Sequence, residues 1–462
     1  MQTEHFPSPP MRIRPGVILL VVVGGFALLF TVVLAGAWLA SHRRLAAELE
    51  RIRAAGEPAS AEDLEAFYKA PPAGRDTTEL WLAALAPLDK AEFQAAAKDL
   101  PFVGEGPDAI PFPGEPWPQL DPAEQFLSRY VLSLDKMHQA SREGGRARFP
   151  TRFADGIATR LPHVQQLRAA VRLLQLETAV AAHRGRLDDT TEAVLAMFAA
   201  ARSLEQEPIL VSQFVRMAFT GIARGRVVWL LSAGVLNDSH LKRLDTELSA
   251  TDYENSFRRA LLGERSIGIQ TFTDPEPLGS EAPRLPLGLM ASSDETLYLQ
   301  IMREMIAAGE LRGSERIRAL DQVDTQLKTL AGETTAKFRY PMTLLLVPAL
   351  SASAEATSRN EADRDATRVA IAIERFRLRE GRLPSTTDEL VPAYLEELPN
   401  DPFVGGSSKL KYRVDAAEYR VYSVGSDGVD DGGVSEPPGS PADIVVRVRI
   451  KPEPSSAVHS IP

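Results

Sequence analysis

Residues 418–450 read EYRVYSVGSDGVDDGGVSEPPGSPADIVVRVRI. One strand-like run ends in a glycine-rich acidic loop, and a second run leaves that loop with its own aspartate, Asp443, at the entry. Val446, Val448 and Ile450 alternate with other residues, as do Leu410, Tyr412 and Val414 upstream, which is the period of half-buried strands. Ala416-Ala417 separates two such runs and predicts a tight hairpin. Before the strands, a helical pattern runs to about Glu380 with Val369, Ile373 and Phe376 on one face. Gly381 is placed to end it through a left-handed turn. Leu383-Pro384 restarts the chain. Ser385 with Asp388 predicts a cap on a short helix holding Leu390 and Tyr394, and Pro399-Asn400-Asp401-Pro402 predicts a turn. The expected carboxy-terminal fold is a long helix packed on a small antiparallel sheet.

The chain has 462 residues, of which 44% are hydrophobic, enough for two or three domains with real cores. A net charge of -10 argues against a nucleic-acid partner, which would call for a basic patch. With no cysteine, disulfides, thiolate zinc sites and cysteine nucleophiles are all excluded. The 7 histidines never approach the spacing that places two imidazoles on one helical face.

Gly16 to Ala40 is free of charge (GVILLVVVGGFALLFTVVLAGAWLA). About 20 such residues cross a bilayer as a helix. Ala35-Gly36-Ala37 has the form of a signal-peptide cleavage site, but the run exceeds an ordinary signal core of roughly 7–15 residues, so a retained single-pass anchor is the reading taken. Arg12 and Arg14 precede the run, and Arg43, Arg44, Arg51 and Arg53 follow it. That count alone favours a cytoplasmic carboxyl side.

Leu45 to Ala55 extends the helix until Gly56-Glu57-Pro58. Ser60 with Asp63 forms a capping-box pattern. Residues 101–122 carry seven prolines and read as an ordered loop built around Phe102, Ile110, Phe112 and Trp117. Val164, Leu167, Val171 and Leu174 then mark one helical face, and Val194, Phe198 and Ala201 a second, with Gly185 between and Pro208 after. The spacing resembles one tetratricopeptide-type helical hairpin. Two further helices are expected over 209–234 and 238–262, a linker over 266–292, and helices over 293–310 and 314–331. The run Met342 to Ala349 is too short to cross a membrane and reads as the buried start of a long helix. Trp81, Trp117 and Trp229 are expected in the core.

The expected class is therefore multidomain, α plus α+β. A tail (1–15) precedes a transmembrane helix (16–40) and an α-helical hairpin domain (41–265). A linker with helices (266–340) leads to an α+β domain with an acidic loop (341–462).

The succession IERFRLREGRLP, LVPAYLEELPNDPF, YRVYSVGSDG and PADI resembles the globular part of the type II secretion major pseudopilin, the G-type protein. The resemblance covers roughly residues 360–446. It implies calcium (Ca2+) binding by the loop, with Asp427 and Asp443 as side-chain ligands and backbone carbonyls such as Val424 helping. It also implies an extracytoplasmic, periplasmic head on an inner-membrane anchor, against the arginine count. The residues agree in kind. Calcium takes six to eight oxygens, and Asp427, Asp430, Asp431 and Asp443 supply carboxylates on a loop freed by Gly428, Gly432 and Gly433. The loop is not an EF-hand, because the required glutamate position falls on Pro438. On composition alone the solvated acidic turn is the favoured reading, and the resemblance moves the reading to calcium.

Two departures from the family stand out. No acid follows the start of the apolar run (Gly16, Val17, Ile18, Leu19, Leu20, Val21), where a pseudopilin carries glutamate at its fifth mature position. More than 300 residues separate the anchor from the head, so the continuous anchor helix of a filament subunit is missing. No nucleophile elbow, Walker loop, dinucleotide fingerprint or zinc motif occurs in the sequence. The functional expectation is a non-enzymatic, membrane-anchored accessory of a secretion or pilus-like envelope system, contacting pseudopilin-like partners. The alternative is a free-standing anchored helical binding scaffold.

Overall fold

In the computed structural model, residues 15–72, 74–281, 290–347, 353–434 and 443–450 are described. The chain is mostly helical, with one small antiparallel sheet.

Helix α1 (Pro15–Ala54) has two halves of different chemistry. Phe26, Leu29, Phe30, Val33 and Trp38 in the first half are exposed. One helix is thus long and apolar enough to cross a membrane. In the second half Leu45, Leu49 and Ile52 pack into a core with Leu261, Tyr298, Met302 and Met305.

Short helices follow: α2 (Ala61–Phe67), α3 (Thr78–Leu85), α4 (Ala91–Ala97), α5 (Leu120–Ser128) and α6 (Val131–Arg142). At α2, Ser60 Oγ accepts from the Asp63 N–H at 3.1 Å, while Asp63 reaches back to the Ala59 N–H rather than to that of Ser60. The proline-rich loop between α4 and α5 is ordered as expected, with Phe102, Val103 and Trp117 buried. Trp81 is fully buried and Trp229 half-buried.

The predicted hairpin forms from α7 (Pro162–His183) and α8 (Leu187–Arg202), joined through Gly185. Ala179, Ala182, Ala193, Ala196 and Ala200 are buried and let the helices approach closely. Helix α9 (Leu210–Ala233) packs on both. The single helix expected over 238–262 is two, α10 (Asp238–Ser249) and α11 (Glu254–Thr273). Between them, the Asp252 carboxylate accepts from the Asn255 N–H at 3.0 Å, and Tyr253 is buried. The side-chain bond starts a new helix where helical periodicity alone reads as continuous. Helix α11 also carries the chain to Thr273, into the stretch expected as linker.

Helices α12 (Ala291–Ala308) and α13 (Gly313–Gly332) match the expected pair. Met342 does not start a long helix. It lies in a six-residue helix, α15 (Pro341–Leu346), which follows α14 (Thr334–Arg339) and is capped by Asp294 from α12. Ala349 lies outside the described residues. The long helix is α16 (Ser353–Glu380), and Gly381 ends it at φ 68° as the sequence predicts. The expected short helix after it is one 3-10 turn, Thr387–Leu390, followed by Pro392, which has no N–H to continue it. Ser385 does not cap this turn with its hydroxyl; its N–H donates to Glu389 at 2.5 Å.

Strands β1 (Lys411–Val414), β2 (Glu418–Ser423) and β3 (Ile444–Arg449) form an antiparallel sheet in that order. Val414 pairs with Tyr419 across the predicted hairpin, and Tyr419 with Val448. Tyr419, Val421, Val446 and Val448 bury one face of the sheet against Ala366, Val369, Ala370 and Ile373 of α16. Val414, expected half-buried, is 45% exposed at the hairpin end of the edge strand.

The carboxy-terminal helix-and-sheet unit shares its core with the helical body. Strand β3 packs on α9, and the Arg449 N–H donates to Ser232 Oγ at 3.2 Å. Helix α16 meets α9 and α10 through paired charges. Arg224 pairs with Asp363 at 3.4 Å, Arg368 with Asp245 at 2.9 Å and Arg375 with Asp238 at 2.8 Å.

Candidate functional site

The acidic loop leaves β2 at Ser423 and folds back over the strand it came from. Its root is held by Asp401, which is 2% exposed. One carboxylate oxygen accepts from Ser423 Oγ at 2.7 Å and from the Phe403 N–H at 3.0 Å; the other accepts from the Val424 N–H at 3.0 Å. Asp401 therefore fixes where the loop begins. In the sequence it is only the third residue of a turn, and nothing in its neighbourhood marks it as a partner of residues more than twenty positions later.

The five predicted ligands occupy different environments. Asp427 is exposed, and its Oδ1 accepts from the Val429 N–H at 3.0 Å in a local turn. Asp431 is exposed as well. Val424 is buried. Asp430 is already engaged. Its Oδ1 accepts from the Tyr422 hydroxyl and the Gly432 N–H, each at 3.0 Å, and Oδ2 faces Lys411 Nζ at 3.2 Å. Its slight burial opposes ionisation, but the Gly432 amide, Lys411 and Tyr422 outweigh it and hold the carboxyl below the usual range. Burial, then hydrogen bonding to Asp430, pushes Tyr422 up to about 12.

Asp443 differs from the other four. It is 2% exposed. Its Oδ2 accepts from the Gly433 N–H at 2.7 Å, while its Oδ1 is buried and, among the described residues, without a hydrogen-bond partner. Burial raises its pKa, the nearby Asp431 and Asp430 add to the rise, and the amides of Gly433 and Asp431 oppose it. Gly433 makes the approach possible. Its φ is 77°, and a side chain there would meet Arg420 Cδ at 3.1 Å and Tyr422 Cδ1 at 3.2 Å.

The structure thus brings Asp430, Asp431 and Asp443 near enough to influence one another and leaves Asp427 on an outer turn. Among the described residues, no three histidine or acidic side chains converge as a ready metal-binding group. Among the described residues of the loop, the buried Asp443 Oδ1 is the feature that a cation could satisfy. Residues 435–442 of the same loop lie outside the described residues.

A second polar region was not legible from the sequence. A cleft of about 510 Å³ lies between α13 and α16, lined by Glu254, Arg312, Glu361, Arg364, Arg368 and Asp401 among others. Beneath it, Arg316 and Glu361 form a buried pair at 2.5 Å. Arg364, Arg368 and Arg375 are spaced by four and seven along α16, which reads in sequence as a solvated helix face. Comparison with protein-family models, characterised proteins and solved structures finds no match to this chain.

Proposed function

We propose that the chain is a single-pass, membrane-anchored and non-enzymatic protein whose pseudopilin-like head is stabilised by calcium. In this reading it serves as an accessory of a type II secretion or pilus-like envelope system, with its bulk outside the cytoplasm. The exposed apolar half of α1 supports the anchor. The observation that carries the calcium reading is Asp443, whose buried Oδ1 has no hydrogen-bond partner among the described residues. Asp443 would hold the ion with Asp431 and Asp427, and Asp430 would join by releasing Lys411. Backbone carbonyls such as that of Val424 would complete the six to eight oxygens calcium takes. The ion supplies positive charge to a carboxylate cluster that otherwise repels itself.

The test is a thermal melt of the full chain in detergent micelles, with calcium and then with a chelator. Ligand at 100 times its dissociation constant adds about 2.7 kcal/mol, so calcium is expected to raise the midpoint by several degrees. Asp443→Asn is expected to abolish that rise. Without calcium, the Asp443 pKa is raised in the folded state. The chelated chain is therefore expected to lose stability as pH climbs from the ordinary aspartate range through that raised value, and calcium to reverse the loss. A midpoint insensitive to calcium at every pH would end the calcium reading.

Sidedness is tested separately. A carboxy-terminal reporter active only outside the cytoplasm is expected to be active, and a stable but inactive fusion would reverse the orientation.

A specific observation favours the free-standing scaffold as second reading. Strand β3 and α16 are packed into the helical body, so part of the head's surface is covered by its own chain. Copurification with pseudopilin-like subunits distinguishes the first reading. Its absence alongside an intact calcium response favours the second.

A further inference from the structure

Helices α1 and α12 leave the end of the apolar stretch together. His42, two residues beyond Ala40, has Nε2 3.2 Å from Ser292 Oγ in the first turn of α12. Six residues further along α1, Glu48 accepts from Arg303 at 2.7 Å. Both contacts advance in the same chain direction, so the two helices run away from the apolar stretch side by side. Helix α13 packs back along α12 and returns the chain to its starting level, where α14 and α15 follow. Asp294, again in the first turn of α12, fixes them there. Its Oδ2 accepts from the Met342 N–H at 2.9 Å, and its Oδ1 from the Thr343 N–H at 3.1 Å and the Thr343 hydroxyl at 2.6 Å.

This corner faces outward with an unusual mixture. Phe338 is 66% exposed, and Leu345 and Met290 about 40%. Lys337 and Arg339 are exposed around them, with the Arg339 guanidinium 5.2 Å from the centre of the Tyr340 ring. Arg43 and Arg44 are exposed on α1 just past the apolar stretch. Among the described residues, none of these four cations has a carboxylate partner within 4.0 Å. Aromatic rings flanked by lysine and arginine are what a membrane–water interface selects, the rings at headgroup depth and the cations on anionic headgroups.

We propose that the α14–α15 corner is a second membrane contact. Phe338 and Leu345 enter the lipid boundary, and Lys337 and Arg339 join Arg43 and Arg44 on anionic headgroups, which sets the tilt of the body against the bilayer. This rests on the reading of α1 as a membrane anchor.

Because the chain has no cysteine, single labels can be placed cleanly in the full-length protein. The experiment uses nanodiscs of phosphatidylcholine and phosphatidylglycerol, with fluorescent labels at Phe338→Cys, Leu345→Cys, Phe26→Cys and Leu132→Cys. Leu132 serves as the reference because it is 74% exposed on α6, which packs on α3 and α8. Quenchers carried at headgroup depth are expected to quench labels 338 and 345 several-fold more than label 132, and aqueous iodide to show the reverse order. Label 26 is expected to respond to deep lipid quenchers. Labels 338 and 345 behaving like label 132, with label 26 lipid-buried, would overturn the second contact and leave the anchor standing. Label 26 open to iodide would overturn both.

Discussion

Arg316→Met is expected to destabilise the chain by about 3–5 kcal/mol, read as a fall in the urea midpoint. Arg316 has no exposed surface, and its Nη2 donates to Glu361 at 2.5 Å and to Ser358 Oγ at 3.0 Å. Glu361 is 6% exposed, and its second oxygen has no hydrogen-bond partner among the described residues. Burial already raises the Glu361 pKa, and Arg316 is the main influence opposing that rise. Removing the guanidinium leaves a buried carboxylate balanced only by the weaker influence of Arg364. The pH dependence gives the sign. A carboxyl with a raised folded pKa favours the fold while it is protonated and ceases to as pH rises through that value. Arg316→Met moves the value further up, so the deficit is expected to be smallest in acid and to grow toward neutral pH. The double variant Arg316→Met with Glu361→Leu is expected to recover most of the loss, because no buried charge remains. A double variant as unstable as the single one, or a deficit flat with pH, would show that the arginine's packing and not the ion pair carries the effect.

Gly263→Ala is expected to cost at least about 3 kcal/mol, at or beyond the upper end of ordinary overpacking. A methyl group there would stand 1.7 Å from the carbonyl oxygen of Pro208 and 2.8 Å from its carbonyl carbon. Both are backbone atoms and cannot swing aside, so α11 and the segment entering α9 would have to part. That junction also holds the bond from the Leu210 N–H to Glu264 at 2.8 Å. Gly225→Ala is the matched comparison. Gly225 lies inside α9 with nothing within 4 Å of the added carbon. There the substitution is expected to add about 0.5–1 kcal/mol, because alanine loses less backbone entropy on entering a helix. Equal effects at the two positions in a urea melt would refute the steric argument.

Local patterns carried a good part of the architecture. The charge-free run, the α7–α8 hairpin around Gly185, the end of α16 at Gly381 and the β1–β2 hairpin at Ala416-Ala417 are each written within a few neighbouring residues. Their periodicity or turn chemistry needs no distant partner to be read. The errors fell where a distant or side-chain contact outranked periodicity. Asp252 restarts a helix in the middle of an apparently continuous one, and Asp294 turns Met342–Leu346 into a separate short helix.

The site divides in the same way. Four aspartates and several glycines sharing one loop between two strands, and an apolar helix ahead of the helical body, are plain in the sequence. What each carboxylate meets depends on the folded chain. Pairing of β1 with β2 sets Lys411 beside Tyr422, and the two together engage Asp430. Pairing of β2 with β3 buries Asp443 and leaves one oxygen without a donor among the described residues. Burial and hydrogen bonding across strands depend on residues brought together by the fold, and those contacts set the charge state of a group. A carboxylate's place in the sequence therefore establishes its presence, and its neighbours in space establish what it can bind.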